Sequence, residues 1–437
     1  MVLFFLKFEF KILKTIIMTV TKKQTSKPNT KSKSRFRKIN DWLHLWLGLI
    51  SGAVVLVVCV TACIWAFNEE ITELFDAKSQ VEVQDKPVIT PSEITAIAKT
   101  KFPNKKVSSA IYKQGRTINV DVGDWEDKER YVLKLNPYDG KIVATETHYK
   151  DEFVFFNWIL KGHRFLWLPW KIGRPIVNYA TLTFVIILIT GLVWWYPKKW
   201  NKSTRDKSFK IKWKANWKRI NIDLHNVLGF YSLVFLASIA LTGMVWGIDW
   251  YSKGLYWTTT GGETLTEWTE KQSDSLQKGK HFTVDKAMDI CWNKVVKENP
   301  KTGGFYYSYP DTADAKATIY MMAYPKRGQF YNANFYYFDQ HTAKHIIGNG
   351  LEDKKFNEVG FGGKLRKINY DLHVGTILGF PGKVLAFCAS LIGASLPVTG
   401  FIIWYNRKWG NKKKKTEKKS WRKQIKSILN TKELLQE

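Results

Sequence analysis

Four long windows without a charged residue constrain the fold of this chain more than any other feature. Each window holds 22 to 25 residues with no Asp, Glu, Lys or Arg. About 20 consecutive apolar residues span the hydrocarbon core of a bilayer, so each window predicts a transmembrane helix. The four windows are Leu43–Phe67, Pro175–Tyr196, Leu224–Gly247 and Val384–Tyr405.

The charge of the segments between the windows predicts their orientation. Residues 19–40, 197–221 and 406–437 together account for +26 of the formal net charge of +30, whereas residues 68–157 and 248–366 are nearly balanced. Basic short segments stay in the cytoplasm, so both termini and the middle loop are predicted to be cytoplasmic. The basic excess therefore indicates membrane orientation and attraction to anionic membrane lipid, and not a nucleic-acid partner.

These patterns predict an α-helical membrane protein, a four-transmembrane-helix bundle with two extracytoplasmic α+β domains. Residues 1–17 are too short and interrupted to span, so Met18 is the expected start, with a short interfacial helix as the alternative. The predicted segments are a basic N-terminal segment (1–37), transmembrane helix 1 (38–67), a first outer domain (68–157), a juxtamembrane helix with transmembrane helix 2 (158–197), a basic loop (198–218), transmembrane helix 3 (219–248), a second outer domain (249–366), a juxtamembrane helix with transmembrane helix 4 (367–405) and a basic tail (406–437).

A phrase ending in histidine precedes each window, and a phrase with threonine closes it. His44 and His225 stand 17 residues before their closing threonine, whereas His163 and His373 stand 27 and 26 residues before theirs. The first and third windows therefore match, as do the second and fourth, which predicts a tandem duplication. The predicted topology pairs His44 with His225 near the cytoplasmic face and His163 with His373 near the outer face. The phrases are Ile39–His44, Leu160–His163, Ile220–His225 and Ile368–His373, closed by Thr61-Ala62, Thr190-Gly191, Thr242-Gly243 and Thr399-Gly400.

Two imidazoles from facing helices can ligate one haem iron, so the two pairs predict two b-type haems. No CxxCH sequence is present for a c-type haem, and tetrahedral zinc would need further ligands nearby. The alternatives are that each histidine only begins a helix and bonds a carbonyl or headgroup, or that Lys or Met replaces one ligand. Candidate partners of the haem propionates are Arg37, Lys38 and Arg219 inside and Arg164, Arg174 and Lys367 outside, although snorkelling explains such cations equally well. Gly48, Gly229, Gly375 and Gly379 either leave room for a macrocycle or serve helix packing.

Each outer segment begins with a helix and continues with strands. Pro91 opens a capped helix to about Lys101, and alternating residues predict strands at Val107–Tyr112, Thr117–Val122 and Arg130–Leu135. Residues 283–347 follow the same plan, with Asp339 where the earlier turn has Asn136. No catalytic set of side chains or glycine-rich phosphate loop is recognisable in these segments. They are therefore expected to be binding domains or covering domains.

Several short motifs recur around the histidines: DLH at Asp223–His225 and Asp371–His373, GHR at Gly162–Arg164, LHVGTILGFPGK at Leu372–Lys383 and the Thr-Gly-x-x-Trp endings of the windows. Taken together, these motifs resemble the PepSY-associated transmembrane family, which includes iron-regulated membrane proteins that reduce ferric siderophores. The resemblance covers roughly residues 35–410. It implies periplasmic PepSY modules, haem b in the bundle, reduction of a ferric chelate and a location in the bacterial inner membrane. Some family members carry a cytosolic flavin domain, whereas this chain ends in a lysine-rich tail, so a separate cytosolic or membrane electron donor is expected.

Three functions fit the sequence. The first is a di-haem membrane reductase of a ferric siderophore or another ferric chelate, with His44, His225, His163 and His373 as axial ligands. The second is a binding or regulatory protein whose spans only anchor the outer domains. The third is a metal permease with a histidine relay, but the windows lack the carboxylates expected of a coupled pump.

Overall fold

The computed structural model describes residues 34–197 and 199–410 of the 437-residue chain. Predictions for residues 1–33, Lys198 and residues 411–437, including a start at Met18, lie outside these residues. The α-helices are α1 (Arg35–Trp65), α2 (Asn68–Phe75), α3 (Pro91–Lys101), α4 (Phe155–Phe165), α5 (Trp170–Trp195), α6 (Lys202–Phe209), α7 (Trp217–Asp223), α8 (Gly229–Met244), α9 (Asp249–Thr260), α10 (Val284–Glu298), α11 (Phe361–Lys367), α12 (Asn369–Val374) and α13 (Phe380–Lys408). The strands are β1 (Val107–Lys113), β2 (Ile118–Val122), β3 (Glu129–Leu135), β4 (Ile142–Tyr149), β5 (Gly304–Ser308), β6 (Thr318–Tyr324) and β7 (Asn334–Asp339).

Four helical stretches of the described chain are long and apolar enough to cross a membrane, as the uncharged windows predict. The chain is therefore a multi-pass membrane protein. The first, second and fourth stretches contain α1, α5 and α13. The third runs from α7 to α8, and the π turn Leu224–Leu228 joins these two helices. α1 packs against α5 and α13, and α8 also packs against both. Their shared core is formed by Val55, Phe184, Leu188, Leu236, Ala240 and Ala389.

The two segments between the spans build one antiparallel sheet of seven strands, in the order β4-β3-β2-β1-β5-β6-β7. β1 of the first segment pairs with β5 of the second, with Ala110 opposite Tyr307. This pairing corrects the prediction of two separate outer domains (68–157 and 249–366), because each half would otherwise expose an unpaired edge strand. We call the end of the bundle that carries this sheet the sheet end, and the opposite end, with residues 199–216 and helix α6, the basic end.

Helices α3 and α10 pack against each other and against the sheet, so both halves share one core. Ser92 at the start of α3 donates from its backbone N–H and its hydroxyl to Asp289 of α10, at 3.0 and 2.6 Å. Ile94 of α3, Met288 of α10 and Ile319 of β6 are fully buried in this core. Neither half is complete without the other.

The local predictions within the sheet are confirmed. Helix α3 begins at a capping box in which Thr90 and Glu93 each accept from the other's backbone N–H. The turns after β3 and β7 also match: Asn136 N–H donates to the carbonyl of Lys141, and Asp339 N–H donates to that of Lys344, both at 2.9 Å.

Helix α2 connects the end of α1 to the sheet and to the last span through three acidic side chains. Glu69 pairs with Lys113 of β1, and Glu73 pairs with Arg327. Both carboxylate oxygens of Glu70 accept from Lys383 of α13 at 2.7 Å. The bundle and the sheet are thus joined by charge-assisted hydrogen bonds as well as by the chain itself.

Candidate functional site

The structure brings His44 and His225 together at the basic end of the bundle. His44 lies on α1, and His225 lies in the π turn of the third span. The centroids of their imidazole rings are 6.3 Å apart, and the ring planes cross at 85°. A π turn interrupts a helix mainly at functional sites, and this one carries His225. We call these two residues the basic-end pair.

His163 and His373 form a second pair at the sheet end. They lie on the short helices α4 and α12, as the predicted juxtamembrane helices required. Their ring centroids are 6.2 Å apart, with ring planes at 64°. The indole of Trp246 lies perpendicular to the His373 ring at 5.2 Å. We call these two residues the sheet-end pair.

A threonine of a neighbouring span fixes the orientation of each imidazole. The threonine hydroxyl donates its proton to a carbonyl of its own helix, for example Thr190 to Ile187 at 3.0 Å. Its oxygen therefore accepts from the histidine Nδ1–H, which leaves the lone pair on Nε2. At the sheet end Nδ1–H also donates to a backbone carbonyl that lies closer than the threonine, Val58 for His163 at 3.0 Å and Ile239 for His373 at 2.9 Å. At both ends Nδ1 is thus the donor and Nε2 is left free, which is the arrangement that metal-ligating histidines adopt. The Nδ1–Oγ1 distances are 3.0 Å for His44 and Thr190, 3.5 Å for His163 and Thr61, 2.9 Å for His225 and Thr399, and 3.1 Å for His373 and Thr242.

An asparagine four residues before the histidine holds the same threonine through its backbone. Asn40 donates to the carbonyl of Thr190 at 3.1 Å, and Asn221 donates to that of Thr399 at 3.1 Å. Asn369 donates to the carbonyl of Thr242 at 3.2 Å. Ile159 occupies the corresponding position before His163. Three of the four histidines are thus tied to the facing span at two points.

The residue after the threonine leaves room for the imidazole. A Cβ atom at Gly191 would lie 3.2 Å from Cε1 of His44. Corresponding Cβ atoms at Gly243 and Gly400 would lie 3.1 and 3.2 Å from Cε1 of their histidines, closer than ordinary van der Waals contact. Ala62 takes this place beside His163, where the threonine–histidine distance is the longest of the four.

A cavity of about 820 Å³ opens around the basic-end pair. Gly48 and Gly229 line this cavity together with Lys38 and Lys218, which accords with one of the two roles that the sequence leaves open for these glycines. The other two predicted glycines have a local role instead. Gly375 and Gly379 have φ angles of 86° and 66°: Gly375 ends α12 and Gly379 immediately precedes α13.

The predicted cationic partners lie in two different environments. Arg219 is paired with the buried carboxylate of Asp223, at 2.7 Å. Arg164 and Arg174 both stack on Trp170, with guanidinium carbons 4.8 and 4.3 Å from the ring centroid. Within residues 34–197 and 199–410, neither of these two arginines pairs with a carboxylate.

Burial keeps the sheet-end imidazoles neutral. It lowers the pKa of His163, which the Arg164 guanidinium lowers further, and it lowers the pKa of His373 to about 4. Neutral imidazole is the form that binds metals. No cluster of three or more His, Cys, Asp or Glu side chains suited to a metal ion occurs among the described residues. The geometry therefore provides opposed imidazole pairs and not a multidentate cage.

The threonines and asparagines that hold the imidazoles were not predicted as site residues. Their signal was present in the repeat, because Asn and Thr-Gly recur at fixed places around the histidines. The repeat does not indicate which spans pack against each other.

The comparisons with known proteins agree with this arrangement at the level of the family. The family model described as the PepSY-associated TM region matches residues 42–407, which include both pairs and the whole sheet. No curated protein matches the chain.

Proposed function

Since the chain belongs to the PepSY-associated transmembrane family, we propose that it is an electron-transfer protein that holds two b-type haems, one at each histidine pair. The observation that carries this proposal is the spacing of the opposed imidazoles, 6.3 Å at the basic end and 6.2 Å at the sheet end. Haem b would supply a one-electron couple at each position.

The spacing suits two histidines that would hold one metal atom between them. A metal–nitrogen bond of about 2.0 Å on each side, with about 1.1 Å from each nitrogen to its ring centroid, would add up to about 6.2 Å between the two centroids. The lone pairs on Nε2 are free for this role because Nδ1 donates to a threonine or a carbonyl. A packing contact between two imidazoles does not by itself demand this spacing twice.

Threonine side chains orient the four histidines, and arginine side chains would neutralise the negative charge of a bound porphyrin. Thr190 and Thr399 hold the basic-end imidazoles, and Thr61 and Thr242 hold those at the sheet end. Arg164 and Arg174, which have no carboxylate partner among the described residues, are suited to propionates at the sheet end. Arg219 is less suited, because Asp223 already neutralises it.

The charge of the two ends supports an orientation in the membrane, and with it the proposed direction of electron flow. Basic residues at the basic end favour a cytoplasmic location for this end and for both termini, in a bacterial inner membrane. An electron from a cytosolic or membrane donor would enter there and reduce Fe(III) to Fe(II) in a ferric siderophore or another ferric chelate at the sheet end. Reduction releases iron because the hard oxygen ligands of such chelators hold Fe(II) more weakly than Fe(III).

The proposal is tested first by haem content. The purified full-length protein should contain close to two extractable haems per chain and should show the Soret band of six-coordinate haem. His281→Ala is the matched control, since this exposed imidazole bonds Gln277 in the described structure and lies in neither pair. Protein that stays colourless after expression with ample haem and after haem titration contradicts the proposal.

The second test concerns the substrate. Chemically reduced protein should be reoxidised by ferric citrate or by a ferric hydroxamate, with Fe(II) collected by a ferrous chelator. Protein that remains reduced for hours with such chelates, but binds a peptide tightly, would favour the binding or regulatory function instead.

A further inference from the structure

A pair of basic residues precedes three of the four histidines at the same distance. Residues seven and six positions before His44, His225 and His373 are all Lys or Arg, and the next two residues are always Ile-Asn. The three pairs are Arg37-Lys38, Lys218-Arg219 and Arg366-Lys367. Positive-inside orientation explains the first two pairs, but it does not explain the third pair, which lies at the opposite end of the bundle.

At the basic end, one member of each pair faces the histidine cavity. Lys38 and Lys218 line this cavity together with His44 and His225. The other two members are occupied elsewhere: Arg37 donates to the carbonyl of Tyr196 at 2.9 Å, and Arg219 pairs with Asp223. The position that lines the cavity is thus six residues before His44, at Lys38, and seven residues before His225, at Lys218.

Arg366 occupies this position at the sheet end. Helices α11 and α12 continue one another, because Ile368 between them has helical backbone angles and Leu372 N–H donates to its carbonyl at 2.9 Å. Seven residues make about two helical turns, or roughly 10 Å, so Arg366 lies on the His373 face of the helix. It lies in the last turn of α11, two turns before His373 along the chain.

The guanidinium of Arg366 lacks the partner that its burial requires. Its Nη1 atom is buried and has no hydrogen-bond partner, and no carboxylate of the described residues forms an ion pair with it. Its neighbour Lys367 lies instead over the ring of Phe335, at 5.9 Å. Arginine does not lose its proton to avoid this cost, and an anion from outside the described chain would offset it.

We propose that Arg366 binds a carboxylate group at the sheet-end histidine pair. The inference rests on the proposed function, which offers two sources of this group: a propionate of the porphyrin held by His163 and His373, or a carboxylate of the incoming ferric chelate. A planar guanidinium binds a carboxylate through two parallel hydrogen bonds, a geometry that lysine cannot supply.

The first arm of the test compares two porphyrins in full-length protein carrying His225→Ala, which leaves the sheet-end pair as the only intact pair. Ferric protoporphyrin IX and its dimethyl ester are titrated while the Soret band is followed. Arg366→Gln should weaken binding of the free acid about tenfold or more and leave binding of the ester unchanged. Arg366→Lys should restore part of the loss. Lys364→Gln, on the opposite face of α11, is the matched control and should have no effect.

The second arm tests the other source. Citrate is added to porphyrin-free protein with Arg366 or Gln at this position, and the melting temperature is measured. Stabilisation by citrate that requires Arg366 assigns the carboxylate to the chelate, whereas discrimination between the acid and the ester assigns it to the porphyrin. If Arg366→Gln changes neither measurement, or weakens the acid and the ester equally, the carboxylate site is refuted. Failure of both porphyrins to bind refutes the proposed function, while the citrate arm still decides the role of Arg366.

Discussion

The two histidine pairs have nearly the same internal geometry but very different surroundings. Ring separations of 6.3 and 6.2 Å and hydrogen bonds from Nδ1 to threonine occur at both ends. The basic-end pair lies on membrane-spanning helices beside a cavity of about 820 Å³. The sheet-end pair lies on short helices that contact the sheet, where Asp371 accepts from Phe330 N–H and Thr376 accepts from the Gln329 amide.

This difference separates what holds the imidazoles from what governs access to them. The imidazoles are held by contacts with neighbouring spans, and these are largely alike at the two ends because a threonine lies beside all four histidines and an asparagine precedes three of them. Access to the imidazoles is determined by the structure outside the spans, which differs between the two ends. Loss of a threonine contact should therefore weaken the pair concerned at either end, whereas a change in the sheet should affect only the sheet-end pair.

The largest effect is expected from removing an imidazole. His225→Ala should abolish six-coordinate haem at the basic end, and His373→Ala should abolish it at the sheet end, because one axial ligand is lost in each case. Each variant should lose about half of the bound haem or convert it to a five-coordinate form, as measured by low-temperature absorbance spectra. If both variants damage the same spectral component, the two pairs are not separate sites.

The next effect tests the shared core of the sheet. Ile319→Ala should destabilise the sheet by about 2–5 kcal/mol, because it leaves a cavity in a fully buried position. Since the halves share this core, proteolysis should increase in residues 123–129 of the first half as well. The sheet-end spectrum should change and the basic-end spectrum should not. Val143→Ala, at a partly exposed position of β4, is the control and should have little effect.

The spans and the histidine positions were predictable because their signals are local and strong. Uncharged windows report bilayer thickness directly, and the repeat places each histidine relative to its span. The pairing of β1 with β5 was not predictable, because an alternating strand carries no mark of which edge it will meet. Gly375 and Gly379 were ambiguous for a similar reason: a glycine that makes room and a glycine that turns the chain look alike in a sequence.

The roles of the arginines were only partly predictable. The ion pair of Arg219 with Asp223 has the i, i+4 spacing of neighbours on a helix and could have been predicted. The stacking of Arg164 and Arg174 on Trp170 depends on how α4 and α5 meet, which no local pattern contains.

A smaller effect is expected from the shared threonines. Thr190→Val and Thr242→Val keep the shape of the side chain but remove the hydroxyl that accepts from Nδ1–H. Loss of such a contact typically weakens metal affinity about 10- to 100-fold, so haem should be lost more readily from the pair concerned. Haem transfer to apomyoglobin would measure this. Because the Nδ1–H of His373 also donates to the carbonyl of Ile239 at 2.9 Å, Thr242→Val should have the smaller effect of the two, and Thr183→Val, a half-exposed threonine on α5, should have none. A loss from Thr242→Val larger than that from Thr190→Val would mean that the carbonyl does not hold the imidazole.

The smallest effect is expected from Gly243→Ala, which would make the sheet-end pair more symmetric. The new Cβ atom would lie 3.1 Å from Cε1 of His373, so the imidazole must move by a few tenths of an ångström. His163 already faces Ala62, and its Nδ1 lies 3.5 Å from Thr61, compared with 3.1 Å for His373 and Thr242. The chain thus tolerates a methyl group at this position with a longer hydrogen bond. Gly243→Ala should lower haem affinity at the sheet end by less than about tenfold, below the loss expected from removing the hydroxyl itself. The reverse change, Ala62→Gly, should leave affinity unchanged or raise it slightly. A loss from Gly243→Ala as large as that from Thr242→Val would show that the space beside the imidazole matters as much as the bond that orients it.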